Sequence, residues 1–441
     1  MLLDQSSGVR LCFAGAVVFR MLIFYLLAAL VLLQSGLSLR GGVRYLAYVR
    51  REMNAKRALF MPFASVIVPC RGLDQGLRVN IEALFAQHYP AYELIFVADR
   101  ADDPALAIVE AVRRDFAEAS IPRVRVVIAG HAHDSGQKVH NLRAAVHEID
   151  PASEVLVFVD TDARPRADWL RSLVAPLADE NIGATTGYRW FISITGGFAS
   201  HLRSVWNASI ASALGANGAS NFCWGGSTAV MRATFERLDV AGQWHGTVSD
   251  DFTLTRALQR AKLPIYFVPN CLTATYEDCT FAQLVEFSTR QMKITRVYAP
   301  HLWKIVLVSN LLFVLVFFGG LALVAARAAL GLSVEVPLAL ILWIYTLGMW
   351  KAFLRLRAVA LPLVSSRASL NRSLLPHLFL WPLTAVLYLY NAVAAGFSRR
   401  ITWRGMTYEL KSANETVIVS DTASGNSSGR DVELNSRGRA A

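Results

Sequence analysis

Two acids one residue apart follow an apolar run in "VLVFVDTDARPRADWL", at positions 155–170. Asp160 and Asp162 stand where a strand of an open α/β sheet would end, and such sheets bind ligands in the crevice at the carboxyl ends of their strands. Their hard oxygen atoms suit Mg²⁺ or Mn²⁺, and a cation held there would neutralise a diphosphate. A solvated surface turn explains the same triplet equally well. The prediction of a metal site therefore depends on whether other residues lie close to these two acids.

Three polar residues upstream suit nucleotide binding. Asp99 ends the strand-like run "ELIFVAD" and could accept hydrogen bonds from a base or a ribose. Lys138 and Asn141 follow in "GQKVHN" and suit contacts with phosphate and nucleotide. They lie between Asp99 and the paired acids along the chain.

A second acidic pair opens the helical pattern "SDDFTLTRALQR" at positions 249–260. Asp250 is expected to cap this helix, and Asp251 to project into the crevice, where it could act as a general base. Helix capping alone would explain such a pair. The assignment of Asp251 therefore depends on its position relative to Asp160 and Asp162.

A cationic helical face precedes the next apolar stretch in "EFSTRQMKITRVYAP". Arg290, Lys293 and Arg296 recur every three residues along it. They have two explanations: interfacial cations beside a membrane segment, or a clamp on a diphosphate leaving group.

The elements that must position these residues form an α/β pattern between about 63 and 300. The runs "SVIVP", "ELIFVAD", "VRVVIAG" and "EVLVFVD" read as strands, and the stretches 76–87 and 104–116 read as helices between them. This alternation predicts a Rossmann-like, mainly parallel sheet.

The composition indicates a membrane protein. Hydrophobic residues make up 54% of the 441 residues and charged ones only 17%. The formal charge of +11 comes largely from cations that flank apolar runs, so it indicates a membrane surface rather than nucleic acid. Five scattered cysteines, without a CxxC spacing, indicate a reducing compartment and no zinc site.

Four apolar stretches are candidates for membrane segments, at about 11–39, 305–326, 336–350 and 374–397. Arg20 interrupts the first, and its portion from Met21 is long enough to span as a helix. Met21 could be the true start of the chain, which would remove Arg20 from the first stretch. Cations after that stretch place the soluble domain in the cytoplasm. Three further crossings would leave the cationic C-terminal segment outside, so either one of them is re-entrant or interfacial, which we favour, or 352–366 adds a crossing. Residues 412–441 read as disordered.

The order of these motifs resembles that of membrane-bound inverting family 2 glycosyltransferases with the GT-A fold, and more closely that of the ceramide glucosyltransferase family. The resemblance covers about 20–410 and is carried by four segments: "GLDQGLRVNIEALFAQHYPAYELIFVADRADDPA", "NFCWGGSTAVMR", "SDDFTLTRAL" and "ITWRGMTYEL".

The resemblance implies a UDP-sugar donor, a divalent cation and a lipid hydroxyl acceptor such as ceramide. It assigns Asp99 to nucleotide binding, Asp162 with help from Asp160 to the metal, and Asp251 to the catalytic base. The family's Q/R-x-x-R-W motif is imperfect here. Arg290 fills its first position, but Lys293 stands in place of Arg and Ile294 in place of Trp. Gln291 or Arg296 would take over if the register were shifted.

These expectations divide the chain into an N-terminal membrane anchor (1–40), a cytoplasmic GT-A domain (41–300), a C-terminal transmembrane region (301–398) and a cytoplasmic or disordered tail (399–441). The expected location is a bacterial inner membrane. Two alternatives remain: a processive polysaccharide synthase of the cellulose or hyaluronan type, which shares the acids and the membrane helices, and a non-catalytic membrane scaffold.

Overall fold

The structure is a computed structural model that describes residues 5–57, 59–116 and 122–421, with side chains at 19 and from 21 onward. The strands are β1 Ala64–Pro69, β2 Tyr92–Ala98, β3 Arg123–Ile128, β4 Val155–Phe158, β5 Ala184–Ile192, β6 Thr228–Met231, β7 Ile265–Tyr276, β8 Arg400–Trp403, β9 Met406–Ser412 and β10 Glu415–Asp421. The helices are α1 Gln5–Met53, α2 Leu77–Phe85, α3 Pro104–Asp115, α4 Gln137–His147, α5 Trp169–Val174, α6 Phe198–Ala211, α7 Arg232–Arg237, α8 Val240–Gln243, α9 Asp250–Arg260, α10 Phe281–Tyr298, α11 Pro300–Ala329, α12 Glu335–Val359, α13 Arg367–Arg372, α14 Leu374–Phe379 and α15 Trp381–Phe397. Short 3-10 turns span Ala175–Ala178 and Val364–Ser366.

In the described chain, strands β1 to β7 form one sheet in the order β3-β2-β1-β4-β6-β5-β7. Only β6 runs antiparallel to its neighbours β4 and β5, and the other pairings are parallel. The predicted mainly parallel α/β sheet is confirmed, and the four runs read as strands are β1 to β4. The carboxyl ends of β1, β2, β4 and β5 therefore meet at one edge of the sheet.

Apolar side chains cover both faces of this sheet. The strands β1, β2 and β4 are buried almost throughout, as expected for strands packed on both sides. One face packs on α2, α3 and α5, through residues such as Ile81, Val109 and Leu170. The other packs on α4 and α9, through Leu142 and Leu258 among others. This double cover fixes the strand ends that carry the polar residues.

Among the described residues, three helices are long and apolar enough to cross a membrane: Met21–Met53, Pro300–Ala329 and Glu335–Val359. The last two extend beyond the stretches predicted from the sequence. The remaining apolar stretch is divided at Leu380 into α14 and α15, and a proline stands in the second helical position of α15. Instead of standing apart, α15 packs on α6 and α10, where the Trp206 and Tyr388 rings stack 5.2 Å apart. It also packs on α11, where Trp303 Nε1 donates to the Ala392 carbonyl at 2.9 Å, and its interfacial position stays a prediction.

The chain after α15 forms an antiparallel sheet of the described strands β8, β9 and β10, in the order β10-β9-β8. Residues 412–421 were predicted to be disordered, and that prediction is wrong, because β10 pairs with β9 along its length. The alternation of buried and exposed residues in β9 explains the pairing, since Met406, Tyr408 and Leu410 form a core with Ile294 and Tyr298 of α10. Residues 422–441 lie outside the described part.

Candidate active site

A cavity of about 400 Å³ opens at the carboxyl edge of the sheet. A volume of this order is typical of ligand pockets. One wall is formed by the ends of β1, β4 and β5 with the start of α4, and the opposite wall by α10 and the β8–β9 turn. The charged residues lining it are Arg71, Asp74, Lys138, Asp160, Asp162, Arg189, Arg203, Glu277, Glu286, Arg290 and Arg404.

Lys138 links the two acidic pairs that the sequence singled out. It lies in the first turn of α4, and its Nζ atom is 2.8 Å from Asp160 Oδ1 and 3.2 Å from Asp250 Oδ1. Burial acts to raise the pKa of Asp160, but Lys138 and Arg189 outweigh it and hold that pKa below its ordinary value. Burial alone would lower the pKa of Lys138, yet Asp160 and Asp250 keep it raised. Both groups therefore carry their charges at neutral pH.

Arg189 holds the second acid of the triplet and was not predicted from the sequence. Its Nη1 atom is 2.7 Å from Asp162 Oδ2, and its Nη2 atom is 3.7 Å from Asp160 Oδ2. The Trp224 ring lies against the same guanidinium, 4.9 Å from its central carbon. A signal was present in the sequence, because Arg189 is the one charged residue in the apolar strand "ATTGYRWFI".

The residues at Asp162 fit a divalent cation. Its Oδ1 atom is buried and has no hydrogen-bond partner among the described residues. Burial, followed by the nearby charges of Asp160 and Asp74, raises the pKa of Asp162 despite Arg189. Within the described chain, no cluster of three His, Cys, Asp or Glu residues could enclose a metal. Mg²⁺ commonly binds through one or two carboxylates together with substrate phosphates and water, and these two acids offer that arrangement.

The second acidic pair begins α9, but its two members differ from the expected roles. Ser249, not Asp250, is the N-cap, and its hydroxyl accepts a hydrogen bond from the Phe252 N–H. The prediction that Asp250 caps the helix is therefore wrong. Its carboxylate instead turns to Lys138, and burial raises the pKa of Asp250 to about 6. Asp251 accepts hydrogen bonds from the Ser249 hydroxyl and the Phe252 N–H and is only partly buried.

A glycine explains why the Lys138–Asp250 contact can form. Gly225 of "NFCWGGSTAVMR" packs so closely that a Cβ atom there would lie 2.3 Å from Asp250 Oδ2 and 2.8 Å from Lys138 Nζ. Any side chain at this position would push the two charged groups apart. The segment quoted for the family resemblance thus has a direct structural role.

The predicted nucleotide-binding residues lie at the same edge. Asp99 follows β2, is buried, and pairs with Arg71 after β1 at 3.2 Å. Its Oδ1 atom has no hydrogen-bond partner within the described residues. Asn141 lines the cavity from α4, where its Oδ1 atom accepts a hydrogen bond from Gln137 Nε2 at 2.8 Å.

The cationic face of α10 divides into residues that reach the cavity and residues that do not. Arg290 and Gln291 line it. Lys293 donates instead to the Arg400 carbonyl at 2.7 Å, and Arg296 donates to the Ala395 carbonyl. Lys293 and Arg296 thus face β8 and α15, which cover that side of α10. The expected place of Lys293 beside Arg290 on a diphosphate is corrected accordingly.

The apolar segment between the acidic pairs was open to two interpretations, an acceptor channel or a buried core helix. Most of α6 is buried, and Trp206 packs against Phe287 and Tyr388. From this region Phe191 and Arg203 line the cavity. The core helix is the better description, with a contribution to the cavity at its start.

The β8–β9 turn adds residues that the sequence analysis used only for the family resemblance. Trp403 and Arg404 line the cavity, together with Tyr408. Arg404 pairs with Asp74, and its Nη1 atom donates to the Arg71 carbonyl at 2.8 Å. Tyr408 accepts a hydrogen bond from the Gln137 N–H at 3.2 Å. Their position beside α10 could not be inferred without the fold, because five helices, α11 to α15, separate them from α10 along the chain.

Comparisons with known proteins point to one family. The model of glycosyl transferase family 21 matches residues 23–416. Ceramide glucosyltransferase 3 of Caenorhabditis elegans is 26% identical over 117 residues, a match that spans 26% of this chain and 25% of that relative.

Two solved structures are similar in outline. A mannosyltransferase from Pyrobaculum calidifontis, in complex with GDP-Man and Mn2+, shares 18% identity with a TM-score of 0.43, covering 84% of this chain and 99% of its own. Glucosyl-3-phosphoglycerate synthase from Mycobacterium tuberculosis, in complex with Mn2+, UDP-glucose and glycerol 3-phosphate, shares 16% identity with a TM-score of 0.33, covering 53% and 78%. The family match spans most of the chain. The chain therefore belongs to glycosyl transferase family 21 and is a glycosyltransferase.

Proposed function

We propose that this protein transfers a sugar from a UDP-sugar to the hydroxyl group of a membrane lipid, ceramide or a similar lipid, with inversion at the anomeric carbon. The observation that carries the proposal is the Lys138 bridge. It joins the paired acids after β4 to the acidic start of α9, although about 90 residues separate them along the chain. A cavity with acids and cations, in a chain whose described part has three helices of membrane-spanning length, supports a donor and a lipid acceptor meeting there.

On this proposal the sheet edge binds the donor. Asp99, beside Arg71, accepts hydrogen bonds from the base or ribose, and Asn141 contacts the nucleotide. Asp162, assisted by Asp160, would hold Mg²⁺ or Mn²⁺ through the Oδ1 atom that lacks a protein partner in the described chain. When bound, such a cation supplies positive charge that offsets the charge of the departing diphosphate. Lys138 and Arg290 add fixed positive charge to the same cavity.

Asp251 is the proposed base. It takes the proton from the lipid hydroxyl as that oxygen attacks the anomeric carbon, the bond between this carbon and the diphosphate oxygen breaks, and UDP leaves with the bonding electrons. Attack opposite the leaving group inverts the carbon and needs no covalent sugar–enzyme intermediate. The hydrogen bonds from Ser249 and the Phe252 N–H orient the carboxylate at the start of α9. General base catalysis of this kind contributes about 10²- to 10⁴-fold.

The membrane helices support a lipid acceptor on the cytoplasmic side. Cations at the end of α1, including Arg50 and Arg51, favour the cytoplasm for the domain that follows. Two helices of membrane-spanning length, α11 and α12, separate α10 from the C-terminal sheet. An even number of crossings returns the chain to the side it left, which agrees with the packing of β8 and β9 against α10.

The test uses full-length protein in detergent with lipid, radiolabelled UDP-glucose, ceramide and Mn²⁺. We expect an organic-soluble labelled product and inversion at the sugar. The Asp251→Asn variant should lose about 10²- to 10⁴-fold in kcat while it binds UDP as tightly as wild type.

The neighbouring Asp250→Asn variant is the matched control for the base. It removes a carboxylate from the same helical turn, and we expect a much smaller loss of kcat. If Asp250→Asn lost activity and Asp251→Asn kept it, the base would be Asp250. A long aqueous polymer as product would replace lipid transfer by polysaccharide synthesis, and a wild-type protein that bound UDP with no metal dependence and transferred no sugar would indicate a scaffold.

A further inference from the structure

The β8–β9 turn brings a tryptophan and an arginine to the wall that faces the paired acids. The family's Q/R-x-x-R-W motif lacks its Arg and Trp here, because positions 293 and 294 hold Lys and Ile. Lys293 donates to the Arg400 carbonyl, and Ile294 is buried in the core beneath the C-terminal sheet. The cavity nevertheless has both chemical groups, supplied by Trp403 and Arg404.

The backbone of this turn is held in an unfavourable conformation. Arg404 has φ +51° and Gly405 has φ +81°, so both central residues of the two-residue hairpin are left-handed. Hairpins of this kind strongly prefer Asn, Asp or Gly at these positions, and a non-glycine residue there carries a conformational cost. An arginine is therefore not explained by the turn itself. Its side chain lines the cavity.

The charge of Arg404 faces the acids after β4. Its guanidinium pairs with Asp74, which also accepts a hydrogen bond from the Thr161 hydroxyl at 2.6 Å, in the middle of the triplet. Burial acts to lower the pKa of Arg404, but Asp74, and then Asp162 and Asp160, raise it. The Arg404 guanidinium is thus held beside the place where the diphosphate of a donor would approach Asp160 and Asp162.

The Trp403 ring holds the other cation of this wall. The central carbon of the Arg290 guanidinium lies 5.5 Å from the centre of that ring and 5.5 Å from the Phe287 ring. Arg290 also donates to the Thr402 carbonyl at 3.4 Å, on the same turn. Stacking between aromatic faces keeps a guanidinium in place without neutralising it.

We propose that Arg404 binds the diphosphate of the nucleotide sugar and that Trp403 holds Arg290 beside it. The β8–β9 turn then supplies the cation and the aromatic ring that α10 lacks. This inference rests on the proposed function for the identity of the donor. It assigns the C-terminal sheet, which follows the membrane helices in the chain, to the donor site of the domain that precedes them.

The test compares Arg404→Gly and Arg404→Lys with wild type, using full-length protein and Mn²⁺. Glycine suits a left-handed position, so Arg404→Gly removes the guanidinium while the turn is kept. Its melting temperature should stay close to that of wild type, because the relaxed turn offsets the loss of the Asp74 pair. Loss of a charge-assisted contact should raise the Kd for UDP and the KM for the UDP-sugar about tenfold or more. The Kd for uridine, which has no diphosphate, should stay within twofold. Arg404→Lys should recover part of the UDP affinity.

A matched control lies on the same sheet. Arg400 is exposed on β8 and pairs with Glu409, so Arg400→Gln removes a nearby cation that does not face the cavity. We expect its UDP affinity to equal that of wild type.

Trp403→Leu should weaken UDP binding less than Arg404→Gly does. Adding Arg290→Gln to Trp403→Leu should reduce UDP affinity little further, because both substitutions act through the Arg290 guanidinium.

The outcomes separate this inference from the proposed function. If Arg404→Gly bound UDP as tightly as wild type, or if uridine and UDP affinities fell equally, the role of Arg404 would be overturned even in an active lipid glycosyltransferase. If Arg404→Gly lost UDP affinity selectively and wild type transferred no sugar to lipid, only the proposed acceptor would fail. A wild-type protein that binds neither UDP nor GDP with Mn²⁺ contradicts both.

Discussion

The two walls of the cavity are built in different ways. On the sheet wall, acids and cations are matched at close range: Lys138 and Arg189 contact Asp160, Asp162 and Asp250 at 2.7–3.7 Å. On the wall of α10 and the β8–β9 turn, Arg290 is held by aromatic rings and a backbone carbonyl. The cations of the sheet wall are thus paired with acids before any substrate binds. On the opposite wall Arg404 pairs with Asp74, whereas aromatic rings hold Arg290, which keeps its charge for an anionic ligand.

The walls also depend on different parts of the chain. The sheet wall is fixed by strands that are buried on both faces. The opposite wall combines α10 with a turn that the chain reaches only after α11, α12 and α15. Its geometry therefore depends on the folding of α11 to α15, and substitutions on the two walls should have different effects.

The largest effect is expected at Asp162, whose Oδ1 atom has no hydrogen-bond partner among the described residues. Asp162→Asn removes one carboxylate charge from the proposed cation site, and sugar transfer should fall about 10³-fold. UDP binding should also lose its dependence on Mn²⁺, which titration calorimetry with and without the metal would measure. Retention of metal-dependent binding would mean that the cation is held elsewhere.

The next effect concerns the stability of the same wall. Arg189→Gln leaves Asp162 and Asp160 without their guanidinium in a partly buried site, and the free energy of unfolding should fall by about 3 kcal/mol. Thermal unfolding in metal-free detergent solution would measure it. Addition of Asp162→Asn to Arg189→Gln should restore much of the loss, and an equally unstable double variant would contradict this electrostatic explanation.

Arg290→Gln tests the opposite wall. It should raise the KM for the UDP-sugar about tenfold, since one charge-assisted contact is lost, while the melting temperature changes little. Lys293→Gln, three residues further along α10, should leave KM within twofold because Lys293 contacts the Arg400 carbonyl outside the cavity. Steady-state kinetics on the two variants would show the difference. An equal rise in KM for both variants would support the original prediction that Lys293 also binds the diphosphate.

The smallest effect is a dependence of stability on pH. Burial raises the folded-state pKa of Asp250 to about 6, above the value of about 3.9 expected in the unfolded chain. The folded state then binds more protons than the unfolded state between these values, so ionisation of Asp250 lowers stability as the pH rises from about 4 to about 6. The melting temperature of wild type relative to Asp250→Asn should fall by a few degrees over this range in metal-free buffer and then level off. If the melting-temperature difference between wild type and Asp250→Asn stayed constant over this range, titration of Asp250 would be excluded.

That Asp99, Asp160 and Asp162 lie at one edge of the sheet could be predicted from the sequence, because each stands at or just after the end of a predicted strand. Lys138 was selected for its residue type alone, because the pattern did not predict α4. Parallel strands place their carboxyl ends at one edge of the sheet. Predicting β2 and β4 as parallel strands therefore already implies that the residues after them lie at the same edge. The roles of Asp250 and Lys293 were not fixed by pattern. The direction in which a helical side chain points depends on what packs against the helix. Gly225 leaves room for Asp250 to reach Lys138, and β8 draws Lys293 away from the cavity.

The amino-acid sequence by itself determined the alternation of strands and helices, the apolar stretches and the acids that follow the strands, because these depend on periodicity and residue type within short windows. Only the tertiary structure decided that Arg189 holds the triplet, that 412–421 form a strand, and that Trp403 and Arg404 reach the cavity. Those features depend on contacts between residues far apart in the chain, which are selected by packing of the whole fold rather than by local preference.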